Sequence, residues 1–176
     1  MARINQRLGL TRYEADEYYK QALVAYHKKK LDEAILAMDN AISLLPNHAE
    51  YYAARGFFCL QDGIEDRATA DFEQALRLYP YEVLAHYGRG VVAYGRRNWD
   101  EALAHFNDAY RANPNRAETL YYLALTHHRK GNNVLALTYM QQAVTAFEAA
   151  EDKRQRDAER WVRELQRLVA QERLPR

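Results

Sequence analysis

Prolines punctuate this chain at a fixed interval: Pro46, Pro80 and Pro114 stand 34 residues apart. The next place in that register is Glu148, and the one proline outside it is Pro175. Other columns keep the same step. Ala41, Ala75, Ala109 and Ala143 fall five residues before each mark, and Ala34, Ala68, Ala102 and Ala136 twelve before. Met38, Phe72, Phe106 and Met140 stand eight before, and Ala22, Gly56, Gly90 and Ala124 twenty-four before. A period of this length marks a helical hairpin repeated along the chain. Small residues let the two helices of a hairpin approach closely, and a large apolar residue fills the space toward the next hairpin. Proline ends the second helix, because it lacks an N–H and disfavours helix in the residue before it.

The spacing predicts eight helices in four hairpins, then a ninth. First helices run near 12–28, 48–62, 82–96 and 116–130, and second helices near 31–45, 65–78, 99–112 and 133–149. Turns inside the hairpins fall at Lys29, Gly63, Arg97 and Gly131. Glycine suits the left-handed conformation that commonly ends a helix; lysine and arginine suit it less, so the turns at 29 and 97 are expected to differ in detail. In the ninth segment, 153–171, Trp161, Val162, Leu165, Leu168 and Val169 form one apolar stripe. Arg156, Arg160, Arg163 and Arg167 mix with Asp157, Glu159 and Glu164 on the other face. The last hairpin of a stacked array exposes an apolar flank, so capping is the preferred reading of this helix, with a free partner-binding helix as the alternative. Residues 1–11 read as a flexible arm carrying Arg3 and Arg7, and 173–176 as a tail.

Over about residues 15–148 these columns resemble the tetratricopeptide repeat family. Departures from the family pattern are Gln21 for leucine, Ala25 and Ala93 for a large residue, and Glu148 for the last proline. Terminal repeats of such arrays are commonly atypical. The resemblance implies an all-α fold: a right-handed helical-hairpin solenoid of four repeats (15–48, 49–82, 83–116 and 117–150) with a capping helix over 151–172.

Composition adds limits. The chain has 176 residues and a formal charge of +1, which gives no global attraction to nucleic acid or anionic membrane. A single cysteine, Cys59, has no internal disulfide partner and fits a reducing compartment. Its column neighbours Ala25, Ala93 and His127 mark it as a packed, inert thiol. Met1–Gly9 is polar and basic, unlike a signal peptide, and no stretch approaches the roughly 20 apolar residues that span a bilayer. The expectation is a soluble cytoplasmic protein.

Catalytic parts are missing from the sequence. Ser43 is the single serine and has no histidine at neighbouring helical spacing; Cys59 has no base in register. His127 and His128 point about 100° apart on a helix, and His86 and His105 stand on different helices without ligands at metal spacing. No enzyme, cofactor or metal is expected. Gly88-Arg89-Gly90 lies inside a helical unit, so a phosphate loop is excluded. Gly88 itself keeps two readings: relief of crowding, or room for a ligand's backbone.

The resemblance implies that partners lie on the first helices. Three columns map there: Tyr19, Ala53, Tyr87 and Tyr121; Leu23, Phe57, Val91 and Leu125; Tyr26, Leu60, Tyr94 and His128. Steps of four and three residues put them on one helical face. The middle column, polar in many relatives, is apolar throughout here. An apolar groove follows, suited to an amphipathic helix or extended segment of another protein; the alternative is that these side chains only pack against neighbouring helices. Family members that bind chaperone tails hold a terminal carboxylate with lysine, asparagine and arginine; the matching places here are Tyr19, Leu23, Ala54, Leu84 and Gly88, so that clamp is absent.

One rim is basic, with Lys28, Lys29, Lys30, Arg96, Arg97, Arg129 and Lys130, and the other end carries Asp16, Glu50, Glu82 and Glu118. Complementing the helix dipoles accounts for this pattern; binding of an acidic partner or RNA is the alternative. The functional expectation is a non-enzymatic interaction scaffold, adaptor or assembly factor holding an apolar protein segment. Two rivals stand behind it: self-association through the groove or the last helix, and nucleic-acid binding through the basic rim.

Overall fold

The computed structural model describes residues 9–172. Among them the chain forms nine helices and no strand: α1 (Leu10–His27), α2 (Leu31–Leu44), α3 (Ala49–Gln61), α4 (Glu65–Leu78), α5 (Val83–Gly95), α6 (Trp99–Ala112), α7 (Ala117–Arg129), α8 (Asn133–Ala149) and α9 (Gln155–Glu172). The expected arm at 1–8, with Arg3 and Arg7, and the tail at 173–176 lie outside the described residues. Residues 10 and 11, assigned to that arm, are helical; α1 begins directly after Gly9, whose φ is 70°. The chain divides into two compact units after Arg89, within α5.

In the first unit the recurring large residue is a wedge between small ones. Phe72 of α4 is fully buried. A methyl group at Gly56 would lie 2.8 Å from its ring, and one at Gly88 only 2.1 Å away. Glycine in both places lets the ring sit directly on the backbones of α3 and α5. Gly88 therefore relieves crowding, and the ligand reading of that position falls, because Phe72 already fills the space. Met38 sits in the same core, with the alanines Ala22 and Ala54 in the glycine columns. In the second unit Phe106 of α6 lies over Gly90, where a methyl would meet it at 2.5 Å. Its ring stacks on Tyr122 of α7 with centroids 5.4 Å apart.

Two kinds of turn alternate. At Leu45, Tyr79 and Asn113 the backbone swings out to φ of −130°, −144° and −145°, the extended conformation that a following proline imposes. Inside the hairpins the helix ends in a left-handed residue. Lys29 (φ 60°), Gly63 (80°), Arg97 (60°) and Gly131 (79°) take the same conformation. Behind them the same paired bonds recur: the amides of Lys30, Ile64, Asn98 and Asn132 donate to the carbonyls of Ala25, Cys59, Ala93 and His127 at 2.9–3.0 Å. This corrects the expectation that the turns at 29 and 97 differ. The six-residue bond closure dictates the geometry, and a non-glycine residue adopts it at a cost of roughly 1–2 kcal/mol. The junction after α8 joins the set. With Glu148 in the proline place, α8 runs on to Ala149, Glu151 takes φ 51°, and the Asp152 amide donates to the Phe147 carbonyl at 2.9 Å.

That turn delivers α9 onto α7 and α8. Ala158, Leu165 and Val169 are buried, and Trp161, Val162 and Leu168 pack around a core that includes Leu120, Ala124, Met140 and Phe147. Arg154 ties the turn down: it donates to Glu118 at 2.8 Å and to Asp152 at 2.6 Å, with its guanidinium 4.9 Å from the Phe147 ring centre. The first unit has its own ionic pin. Arg55 donates twice to Asp71, at 2.6 and 2.8 Å, and once to Asp39 at 2.7 Å, which also receives Arg67. Asp71 is 4 % exposed, whereas Asp39 and Arg67 reach the surface, so this network joins α2, α3 and α4 from the core outward. The next arginine in that column, Arg89, donates to Glu73 at 2.6 Å.

Three predictions follow from these contacts. Gly88→Ala lowers stability by about 1–3 kcal/mol through overpacking, read by urea melts, and costs less in a Phe72→Leu background that vacates the ring. Lys29→Gly raises stability by about 0.5–1 kcal/mol by relieving the left-handed strain; an unchanged or lowered melt contradicts the turn assignment. The third concerns acid. Arg154 hydrogen bonds hold Asp152 at about 2, and although burial opposes ionisation of Glu118, Arg116 and Arg154 outweigh it and hold that carboxyl below its usual range. Carboxyls depressed in the folded state stabilise it above their unfolded values and lose that contribution as pH falls through the folded ones. Trp161 emission in a Trp99→Phe protein should therefore report loosening of α9 as pH falls from about 4 to about 2, and Arg154→Gln should flatten that dependence.

Candidate functional site

Within the first unit, α1 and α3 bring five of the predicted groove residues together. Tyr26 meets Phe57 edge to face at 5.6 Å and stacks on Phe58 at 5.2 Å. Tyr19, Phe57 and Leu60 are half-buried beside them, and Leu23 is exposed at 37 %. Ala53 and Tyr87, from the first column, are buried. Tyr87 at 8 % exposure is a core residue and offers little surface. Burial first, and then the neighbouring Glu50 carboxylate, push the Tyr19 hydroxyl's ionisation well above the usual tyrosine range, so it stays neutral.

Within the second unit the remaining groove residues have different surroundings. Val91 and Tyr94 on α5 are half-buried. Tyr94 packs edge to face on Trp99 at 5.1 Å and on Tyr122 at 5.5 Å. Tyr121, Leu125 and His128 on α7 face α9: Tyr121 and Leu125 pack on the core that Trp161 joins, and the His128 ring lies 5.5 Å from the Trp161 ring. His128 Nδ1 shares a 2.7 Å hydrogen bond with the Asn133 side chain, whose amide donates to Glu172. Beside Tyr121 the surface becomes a cleft of about 370 Å³ lined by Asp157, Arg160, Trp161 and Glu164. The fourth hairpin thus presents charge and indole where the columns alone suggested an apolar groove. The signal was available in the apolar stripe of α9, which needed a surface to cover.

The basic rim residues all fall at the turns inside the first, third and fourth hairpins. Lys30 pairs with Glu33 at 2.8 Å, Lys130 pairs with Asp100, and Arg129 donates to the Tyr94 hydroxyl at 3.4 Å. Acids at the opposite helix ends are also engaged. Asp16 accepts from Tyr51 at 2.5 Å, Glu82 from the Ala85 amide at 2.5 Å, and Glu118 from Arg154.

Side chains with chemical potential are in structural roles. Cys59 is fully buried, and burial pushes its thiol up to about 11, so it is protonated at neutral pH. The His127 ring stacks on Tyr139 at 5.5 Å, and burial, with Lys130 adding to it, lowers its affinity for a proton. No group of three or more histidine, cysteine or acidic side chains suited to a metal ion occurs among the described residues. No helix among them is long and apolar enough to cross a membrane.

Comparison with known proteins agrees with this architecture. A family model for the tetratricopeptide repeat matches residues 65–117 and 87–152, together half of the chain. The fold is similar to that of Pseudomonas aeruginosa PilF, with a TM-score of 0.78 at 15 % identity, covering 92 % of this chain and 71 % of that one. It is also similar to the Arabidopsis OM64 TPR domain, with a TM-score of 0.63 at 21 % identity, covering 68 % and 98 %. MamA from Desulfovibrio magneticus RS-1 matches with a TM-score of 0.62 at 18 % identity over 92 % and 98 %. At these identities the likeness is one of fold. Paired helices on a 34-residue period, small residues under each wedge and the family match lead to one assignment: the chain belongs to the tetratricopeptide repeat family, whose arrays are protein–protein interaction scaffolds.

Proposed function

We propose that this protein is a non-enzymatic scaffold or adaptor that holds an apolar segment of a partner protein on the face shared by α1 and α3. The observation that carries the reading is the patch formed by Tyr19, Leu23, Tyr26, Phe57 and Leu60. These side chains leave rings and a leucine in contact with water, on two helices whose opposite sides are fully used by the core. Covering such a patch releases water from apolar surface at roughly 25 cal/mol per Å². An amphipathic helix supplies the complementary stripe, because its apolar residues recur at steps of three and four. The buried single thiol supports a reducing, cytoplasmic setting.

The test is selection from a random peptide display library against the immobilised protein. Recovered sequences should carry apolar residues at i, i+3 or i+4, and i+7. Leu23→Glu should weaken them by roughly tenfold or more, because it leaves a carboxylate against an apolar face, with the helical signal and melting temperature unchanged. Equal binding to wild type and Leu23→Glu removes the patch as the site. Light scattering that shows Leu23→Glu turning a dimer into a monomer would assign the patch to self-association instead.

A further inference from the structure

Two clefts in this molecule are copies of each other. The first, about 400 Å³, is lined by Tyr26, His27, Lys29, Leu31 and Gln61. The second, about 390 Å³, is lined by Tyr94, Gly95, Arg97, Trp99 and Arg129. Adding 68 residues, two repeats, to each member of the first set gives the corresponding member of the second. Each unit thus holds one member of the pair, built at a hairpin turn with a tyrosine as one wall and a large apolar residue, Leu31 or Trp99, as another. A polar side chain reaches in from the following hairpin: Gln61 in one, Arg129 in the other.

The cations in these clefts are placed against backbone preference. Lys29 and Arg97 occupy the left-handed position that Gly63 and Gly131 fill in the alternate hairpins. Glycine is the cheaper residue there, and the same chain uses it twice. Strain held in a surface turn, in the two hairpins whose turns line this pair of clefts, points from geometry to use. Neighbouring acids do not occupy these charges: Glu33 is taken by Lys30 and Asp100 by Lys130, and neither Lys29 nor Arg97 makes an ion pair among the described residues.

We propose that the two clefts are a repeated carboxylate pocket, each accepting an acidic side chain of a partner polypeptide. The cation supplies charge-assisted hydrogen bonds, and Arg129 makes the second pocket bidentate where Gln61 gives the first a neutral donor. A single positive charge beside a neutral amide in the first pocket matches a monoanion. The aromatic or aliphatic walls hold the methylene stem of a glutamate and exclude water from the pair. Nucleic acid fits less well. Two of the rim lysines are neutralised by acids, which breaks the cationic stripe into separate pockets, and the chain's net charge is only +1. Tyr26 borders both the first pocket and the apolar patch, so one segment could use both, but the pocket stands on its own geometry.

Fluorescein-labelled decaglutamate, which has no apolar residue, tests the pockets apart from the patch. Anisotropy at low ionic strength should show binding that salt weakens, and decalysine should not bind. Arg97→Gly keeps the turn and removes the charge; it and Arg129→Gln, which copies the first pocket, should each lower affinity roughly fivefold. Lys29→Gly with Arg97→Gly should abolish binding while thermal stability rises. Trp99 emission, read in a Trp161→Phe protein, should change on adding peptide and stop changing in Arg97→Gly. Absence of decaglutamate binding, equal binding by the double variant, or stronger binding of decauridylate than of decaglutamate would each overturn the proposal.

Discussion

The wedge that Phe72 drives between Gly56 and Gly88 sets the terms for the first unit. Because both glycines lack a side chain, the ring touches helix backbones on either side, and the distance between α3, α4 and α5 is fixed by the thickness of one phenyl group. In the second unit Phe106 does the same work with Gly90 on one side and the Tyr122 ring on the other. Interiors packed this closely respond to a single methyl. The surface features inherit that rigidity. Tyr26 and Phe57 meet edge to face only because their helices are held at a spacing the core has already chosen.

How far the sequence reveals this depends on what each residue does. Periodic packing is legible, since one residue type must recur wherever the same gap recurs. Helices α2, α4, α6 and α8 begin where the columns place them, and the prolines end α2, α4 and α6 for a local reason that acts through the preceding residue. The turns are less legible. Lys29 and Arg97 carry no local preference for a left-handed backbone, yet tertiary closure between a C″ amide and a carbonyl five residues back imposes it on them as on Gly63 and Gly131. Propensity loses there to a hydrogen bond that the hairpin cannot leave unmade.

The site was only partly legible for a related reason. Columns report which residues share a helix face, but not what else lies on that face. Tyr87 shares its column with Tyr19, yet is buried where Tyr19 is half-exposed. Tyr121, Leu125 and His128 share columns with residues that are half-buried or, at Leu23, exposed, yet α9 lies beside them. Arg55 shows the converse. It stands in a column with Gln21, Arg89 and Leu123, where the family resemblance suggests leucine, and its charge is matched by Asp39 and Asp71 from the two flanking helices. Reading those three columns together, a cation opposite two carboxylates, would have exposed the pin, since a largely buried guanidinium needs such partners to offset its lost hydration.

The hairpin turns tie stability to recognition. A turn position that every hairpin must bend through is available for function only if the chain accepts a residue less suited to the bend. Glycine at 63 and 131 gives the relaxed solution, and a cation at 29 and 97 gives up about a kilocalorie per mole to hold a charge over a cleft. The placement is selective: the tyrosine wall recurs as Tyr26 and Tyr94 at the strained turns, whereas the glycine turns carry Leu60 and His128 in the same column. Strain, aromatic wall and cation therefore vary together from hairpin to hairpin. Packing accounts for the ring, because the core column facing the turn is alanine at 25 and 93 but cysteine and histidine at 59 and 127, and it gives no reason for the cation. A ligand that needs a charge beside a ring does give one, and it predicts that relaxing the turn and losing the partner are the same event.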